Sequence, residues 1–457
     1  MKKFFSILIA IALVLVLLPV SGAQAQKPVA FESSIQIRNL SANAGQITLA
    51  FYNLDGFLVG TSDQPIGADE TLSFLRSTMP IGPGFDGSVI VASNVPVAGM
   101  SNLHGLMDAT NVMSYGAFAA FDSGSPTVYL PTLMKNNWGY DTFFYVQNLG
   151  GADADITVNY SDGVTKTASG VKPGASAKFD QTFEDHADKV FAATVTATQN
   201  IAVTVAQNGP TLLTYNSFAE GSTTPVMPLV QENHYGYFTG IQIQNVGTQT
   251  TGVMVYYTPS LHGTECYETQ TIPAGESRTF GEPAFYRDGG DTTCIKGQMF
   301  VGAARVLGNS KTQPLVAVVN QLNNQTRKGG SYNAFDDTKG GSGIIYPLIM
   351  DRNYDYFTSW SIMNVGETIA ANAIVCQVTG KDKNGNPVNK TITNASEVAA
   401  FASWTLEHKN LIADGFVGGA TCTVTGGKVI GTANQFANSP RWAGKDTLLV
   451  YEGFIIP

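Results

Sequence analysis

The sequence predicts an all-β protein of four β-sandwiches in tandem behind an N-terminal signal peptide. Three observations carry this. A pattern recurs: Pro131, Tyr140, Thr142, Asn148, then Pro228, Tyr237, Thr239, Asn245, then Pro347, Tyr356, Thr358, Asn364. The offsets to the Asn are 17, 8 and 6 residues in all three copies. A repeat of this length means whole units in series. Turn signals bound short apolar or alternating runs, with no convincing helical period. A fourth, clipped copy opens the mature chain with Phe31, Ser33 and Asn39, without the Pro.

The N-terminus reads as a secretory signal. Lys2 and Lys3 precede the apolar run Phe4 to Val20, and Ala23-Gln24-Ala25 supplies a small-x-small cleavage site. The two-lysine form looks bacterial, and the mature chain is expected to begin at Gln26. The alternative is an uncleaved signal anchor. No Cys follows the run, which argues against lipoprotein processing. No second run of spanning length follows, so the expectation is a secreted, extracellular or cell-surface protein with no further membrane span.

Without Lys2 and Lys3 the chain holds 24 basic against 35 acidic residues. That balance argues against nucleic acid and anionic membrane surfaces as partners. Charged residues make up 13% of the chain, against about 25% in ordinary domains. The 48 Gly, with many Thr and Asn, favour turns and strands.

The division expected is 1–25 signal peptide, 26–123 repeat one (truncated at its start), 124–222 repeat two, 223–341 repeat three and 342–457 repeat four. In the second repeat Val128 to Leu133 is an apolar run whose Pro suits an edge strand. Asn136-Asn-Trp-Gly139 is a turn cluster, and Thr142 to Asn148 the next strand. Asp155 to Tyr160 alternates polar and apolar, as a half-buried strand should. Ser161-Asp162-Gly163 turns into Val164 to Ala168, and Pro173-Gly174 precedes Ala175 to Phe179. Ala192 to Ala197 and Ile201 to Ala206 read as a hairpin about Thr198-Gln-Asn200. The same late hairpin is expected at Gly87 to Val97, Gly302 to Val319 and Gly419 to Ala433. The turn before the fifth strand is read at Ile66 to Asp69, Val171 to Gly174, Ile272 to Gly275 and Thr393 to Ser396. Each repeat closes on Tyr-x-small-Phe: Tyr115/Phe118, Tyr215/Phe218, Tyr332/Phe335 and Tyr451/Phe454.

Cys266, Cys294, Cys376 and Cys422 allow three pairings. Their distribution, two in each of the last two repeats, favours Cys266–Cys294 and Cys376–Cys422, which an oxidising compartment permits. Unpaired buried Cys is the alternative. Zinc is disfavoured because no CxxC spacing and no paired His accompany them.

A strand ending in Asn-Val-Gly (245–247, 364–366), an alternating strand, and Ile272-Pro-Ala-Gly-Glu-Ser277 together resemble the immunoglobulin-like adhesion modules of bacterial surface proteins, the CARDB-type domains. The likeness covers about the first half of each repeat and rests on turn chemistry. It implies Ig-like sandwiches and a surface or adhesive role, with no catalytic residues to carry over. The first repeat departs from it at Asn39-Leu40-Ser41.

No catalytic, cofactor or metal residues are expected. His104, His186, His234, His262 and His408 fall at different repeat positions and read as surface or turn residues. No GxSxG, HExxH or GxxxxGK[ST] is present. Asp382-Lys-Asn-Gly-Asn386 has oxygens at alternate positions, as a calcium loop needs. Pro387 follows where such a loop turns on Gly, so a hairpin tip is the preferred reading. Asp336 and Asp337 are candidates for calcium at a repeat junction. The recurrent aromatics Trp138, Tyr140, Tyr235, Tyr237, Tyr354 and Tyr356, with Trp360, suit either hinge packing between repeats or glycan contact; packing is preferred.

The function expected is therefore a non-enzymatic surface or secreted repeat protein for adhesion, envelope coating or fibre assembly. A secreted glycan-binding protein and an accessory subunit of a secreted enzyme are the alternatives. Expected partners are the protein itself, head to tail, or surface glycans or proteins. The first repeat lacks its Pro strand, so an open sheet edge is expected there, filled by Gln26 to Ala30 or by a neighbouring molecule.

Overall fold

A computed structural model describes residues 27–108, 111–187, 189–281, 292–407, 410–437 and 439–457. The signal segment and His408 lie outside them. The described residues form antiparallel strands with four short 3-10 turns and no α-helix.

Each repeat folds into two layers over an apolar core, as separate sheets in the first and third repeats and as one continuous sheet in the second and fourth. In the third, Ser277–Gly281, Phe238–Asn245, Leu315–Asn323 and Lys328–Asn333 pair in that order. Facing them are Cys266–Ile272, Thr251–His262, Phe300–Gly308 and Pro225–Glu232. Ile241, Ile243, Val253, Val255, Phe280 and Val319 fill the space between. The second repeat buries Phe144, Val146, Ile156, Val158, Val195 and Val203 in the same way. Ala154–Tyr160 alternates buried and exposed residues along its length. The first repeat has a smaller core around Ile37, Ile47, Leu49 and Phe51.

The expected late hairpins are not hairpins. In the second repeat Lys189–Asn208 is one strand of 20 residues. Its first half pairs with Ala154–Tyr160 and its second half with Asp141–Asn148, so it crosses from one layer to the other. In the first and third repeats the corresponding strands lie in different sheets. Two strands joined by a short link read alike whether they pair or face each other across a core.

The repeated residues are structural, and their roles are consistent. Pro131, Pro228 and Pro347 each sit at a β-bulge in the entry strands Ser125–Lys135, Pro225–Glu232 and Gly343–Asn353. A bulge leaves residues out of the ladder, so the missing Pro N–H costs nothing. It also frees the next carbonyl. The closing tyrosines take it: Tyr215, Tyr332 and Tyr451 hydroxyls donate to the carbonyls of Thr132, Leu229 and Leu348 at 2.7, 2.6 and 2.5 Å.

Thr142, Thr239 and Thr358 each accept, through Oγ1, the backbone N–H of the residue eight positions before, at 2.9 Å. The repeated Asn ties two turns together. Asn245 Nδ2 donates to the Gln249 and Ile272 carbonyls, and its Oδ1 accepts the Gly247 N–H. Asn39, Asn148 and Asn364 do the same at Gly67, Val171 and Val398. The fourth-repeat turn is thus at Val398 to Phe401, not at Thr393 to Ser396. There the Phe401 N–H donates to the Asn364 carbonyl.

Cys266–Cys294 and Cys376–Cys422 are both disulfide-bonded. Cys376 and Cys422 are direct cross-strand neighbours inside the fourth core.

The repeats do not extend as a row. Their closing strands, Asn111–Ala119, Leu212–Asn216, Lys328–Asn333 and Leu449–Glu452, meet in the middle of the molecule. Thr214 Oγ1 donates to the Ala117 carbonyl at 2.7 Å, and Asn216 Nδ2 to Ala119 at 2.7 Å. Asn333 Nδ2 donates to the Asn216 carbonyl at 2.6 Å, and the Asn333 N–H donates to Glu452. Gln207 pairs with Asn320, and Gln321 with Asn434, through their amides. The ring closes between repeats four and one. Thr71 Oγ1 donates to the Pro347 carbonyl at 3.2 Å. Tyr115, for which no entry strand is present among the described residues, packs edge to face on Tyr356 and Trp442. Met100 and Ala117 join the fourth core.

Candidate functional site: three aromatic turns and a buried acidic hub

The entry strand and the Asn strand of each complete repeat are joined by a two-residue turn. Asn137 and Tyr140 exchange backbone hydrogen bonds across Trp138-Gly139, and His234 and Tyr237 do so across Tyr235-Gly236. Asn353 pairs with Tyr356 across Tyr354-Asp355. Both central residues have positive φ: 51° and 82°, 50° and 81°, 50° and 69°. That is the hairpin geometry which Asn, Asp and Gly adopt cheaply at the first position. Here an aromatic occupies it three times. A bulky residue in this region is strained, and such strain concentrates at functional sites.

The six candidate aromatics divide into two sets. Trp138, Tyr235 and Tyr354 stand 90%, 82% and 69% exposed. Tyr140 and Tyr356 are buried and Tyr237 half-buried. Trp360 is in the fourth core. Packing is therefore the role of the second Tyr of each turn, and the first aromatic projects outward. Asn136, Asn137 and Asn233 flank the tips, and the Arg441 guanidinium lies 5.5 Å from the Tyr354 ring centre.

All three turns lie near one acid. Asp446 is buried, and its carboxylate accepts the N–H groups of Leu212, Gly329 and Leu448 at 3.2, 3.0 and 3.2 Å. Burial pushes its pKa well above the usual carboxylate range, against those donors and nearby Lys328. The acid also opposes ionisation of Tyr140, Tyr237 and Tyr356, whose hydroxyl pKa values are raised chiefly by burial. The second Tyr of each turn therefore lies near Asp446. Lys328 Nζ donates to the Ala437 carbonyl at 2.6 Å and to Thr447 Oγ1; burial lowers its pKa.

Glu452 is the second hub acid. Burial raises its pKa to about 7 from 4.5, opposed by the Asn333 N–H. A carboxyl whose folded pKa is raised holds its proton more tightly in the folded state. Its stabilising contribution is complete below about 4.5 and is lost as pH rises through about 7. The residue still meets solvent at one edge, so the loss is roughly 2 kcal/mol rather than the full linkage value. Glu452→Gln keeps an acceptor for Asn333. It is expected to raise the melting temperature relative to the parent at pH 8, and that gain is expected to vanish at pH 5. An equal gain at both values would show that Glu452 does not titrate in this window.

The remaining candidates lie elsewhere. His186, read as a surface or turn residue, is instead buried between Asp162 and Glu184, at 2.9 and 3.4 Å, and stacks on Phe191. Sequence spacing hides this because Asp162 comes from a turn 24 residues earlier. His234 is buried as well and bonds Gln231 at 3.0 Å. His104 is half-buried against Tyr115, and burial lowers its pKa to about 4. Asp382 caps a hairpin tip, accepting the N–H groups of Asn384 and Asn386. Asp336 caps the turn Asp337–Lys339 and accepts Ser222 Oγ at 3.2 Å. Among the described residues no cluster of three or more His, Cys, Asp or Glu could hold a metal ion. No helix there is long and apolar enough to cross a membrane. The two disulfides fit an extracellular location.

In comparisons with known proteins, no family model matches the chain and no curated protein matches it.

Proposed function

We propose that this is an exported, non-enzymatic adhesion protein that grips surface polysaccharide with Trp138, Tyr235 and Tyr354. One observation carries the reading: three equivalent turns place an aromatic, rather than Asn or Gly, at a left-handed position and leave it exposed. Packing cannot account for an indole 90% in solvent. An aromatic ring offers an apolar face to a sugar ring, and the flanking amides offer donors and acceptors. Three equivalent tips on one molecule favour a repeating polymer, because the second and third contacts become intramolecular. The resemblance to CARDB-type adhesion modules supports the same class.

The test is the triple variant Trp138→Ala/Tyr235→Ala/Tyr354→Ala on a polysaccharide array. Retention is expected to fall at least about tenfold, with a melting temperature within a few degrees of the parent. Each single variant should lose less than the triple, as multivalency requires. Unchanged retention by the triple variant removes the proposal.

A further inference from the structure

The first repeat ends its second sheet on an unpaired strand. Leu58–Ile66, Gly45–Asn53 and Gly87–Ser93 pair in that order, and the sheet stops there. In the other three repeats the strand equivalent to Gly87–Ser93 has a second neighbour, the proline entry strand. Residues 27–29 do not fill the place. They run on from Ala30–Asn39, where Val29 N–H donates to the Leu106 carbonyl, and they lie against the second repeat through Lys27–Asp141 and Pro28–Asn208. Among the described residues no strand pairs with the outer edge of Gly87–Ser93.

The gap has consequences in the core beneath it. Val89 and Val91 point to the same side as Phe51 and Leu49, their partners in the ladder, yet remain only partly buried. Their counterparts under an entry strand, Ala193 and Val195, are 1% and 0% exposed. At the start of the edge, Asp86 accepts the Tyr145 hydroxyl at 2.7 Å and pairs with Lys178 at 3.9 Å. Ser88 Oγ donates to the Gly174 carbonyl, with Ile90 beside Gly174. The second repeat thus rests on the outer face of the first half of the strand, while Val89 and Val91 face the core.

We infer that this edge captures an extended apolar segment with a central proline, supplied by another polypeptide. The occupant's chemistry is written three times in the chain itself. Val128-Tyr-Leu-Pro-Thr-Leu-Met134, Val226-Met-Pro-Leu-Val230 and Ile344-Ile-Tyr-Pro-Leu-Ile349 fill this position in the other repeats. Backbone pairing supplies the attraction, and the apolar side chains cover Val89 and Val91. The proline falls at the bulge, where no N–H is needed. The inference stands apart from the aromatic tips, which lie on the turns of the other three repeats.

A peptide of residues 125–135, SPTVYLPTLMK, is the probe, with its scrambled sequence as control. It is titrated into the purified full-length protein and followed by fluorescence anisotropy and amide hydrogen exchange. Saturable one-to-one binding is expected for the peptide and not for the scramble. Exchange at alternate amides of Gly87–Ser93 should slow by about tenfold or more. Absence of binding overturns the inference. So does binding that leaves those amides exchanging at their free rate. Neither result bears on the polysaccharide array, so the two proposals fail separately.

Discussion

Asp446→Ala is expected to destabilise the protein by about 3–5 kcal/mol, the scale of leaving three buried N–H groups unpaired. The carboxylate joins backbone N–H groups from three places in the chain: Leu212 in the second repeat, Gly329 in the third and Leu448 in the fourth. Alanine leaves all three without an acceptor, and each buried orphan costs about 1–3 kcal/mol. It also removes the one acid that bears on the buried Lys328 ammonium. The loss should be read by chemical denaturation. Hydrogen exchange should show faster opening in all three closing strands, not only in the fourth. A cost below about 1 kcal/mol would mean that water satisfies the hub and that the acid does not bind the repeats together.

The second large effect is expected from Cys376→Ala/Cys422→Ala. The bond closes a 46-residue loop, for which chain-entropy arguments give about 4 kcal/mol. Both residues are fully buried in the fourth core, so truncation also removes packing. The fourth repeat touches the first through Pro347 and Tyr356 and the third through Glu452 and Ser403. Its loosening should therefore open the ring on both sides. Denaturant midpoints of the parent and the double variant, each measured in oxidising buffer, give the comparison. A loss of less than about 1 kcal/mol would place the stability of the fourth sandwich elsewhere.

The Thr and Asn of the repeat were legible because they act locally: in each complete repeat the Thr hydroxyl reaches back eight residues and the Asn Oδ1 reaches forward two, so their period shows in the sequence. The all-β class was legible for the same reason: alternation and turn residues are short-range signals. The disulfides were legible through their uneven distribution. The hub was not. Asp446 is an isolated acid between Lys445 and Thr447, and its partners lie 117 and 234 residues away. Ring closure was equally hidden, because Tyr115 meets Tyr356 through space alone.

The tips lay between these cases. The Gly after Trp138 and Tyr235 marked a two-residue turn, and two positive-φ positions follow from that turn type. The aromatic at the first of those positions is the strained member of the turn and points outward. The late strands were misread because alternating apolar residues fit a hairpin and a crossing between layers equally well.

The closing strands of the repeats pack against one another around one hub. Small-angle X-ray scattering on the purified protein tests this directly. A compact particle of the 431 residues from 27 to 457 has a radius of gyration of about 22 Å. A value near that figure, with a single-peaked distance distribution, is the result predicted. A radius about twice as large, with the long tail of a rod, would show the sandwiches strung out in a row and would contradict the ring.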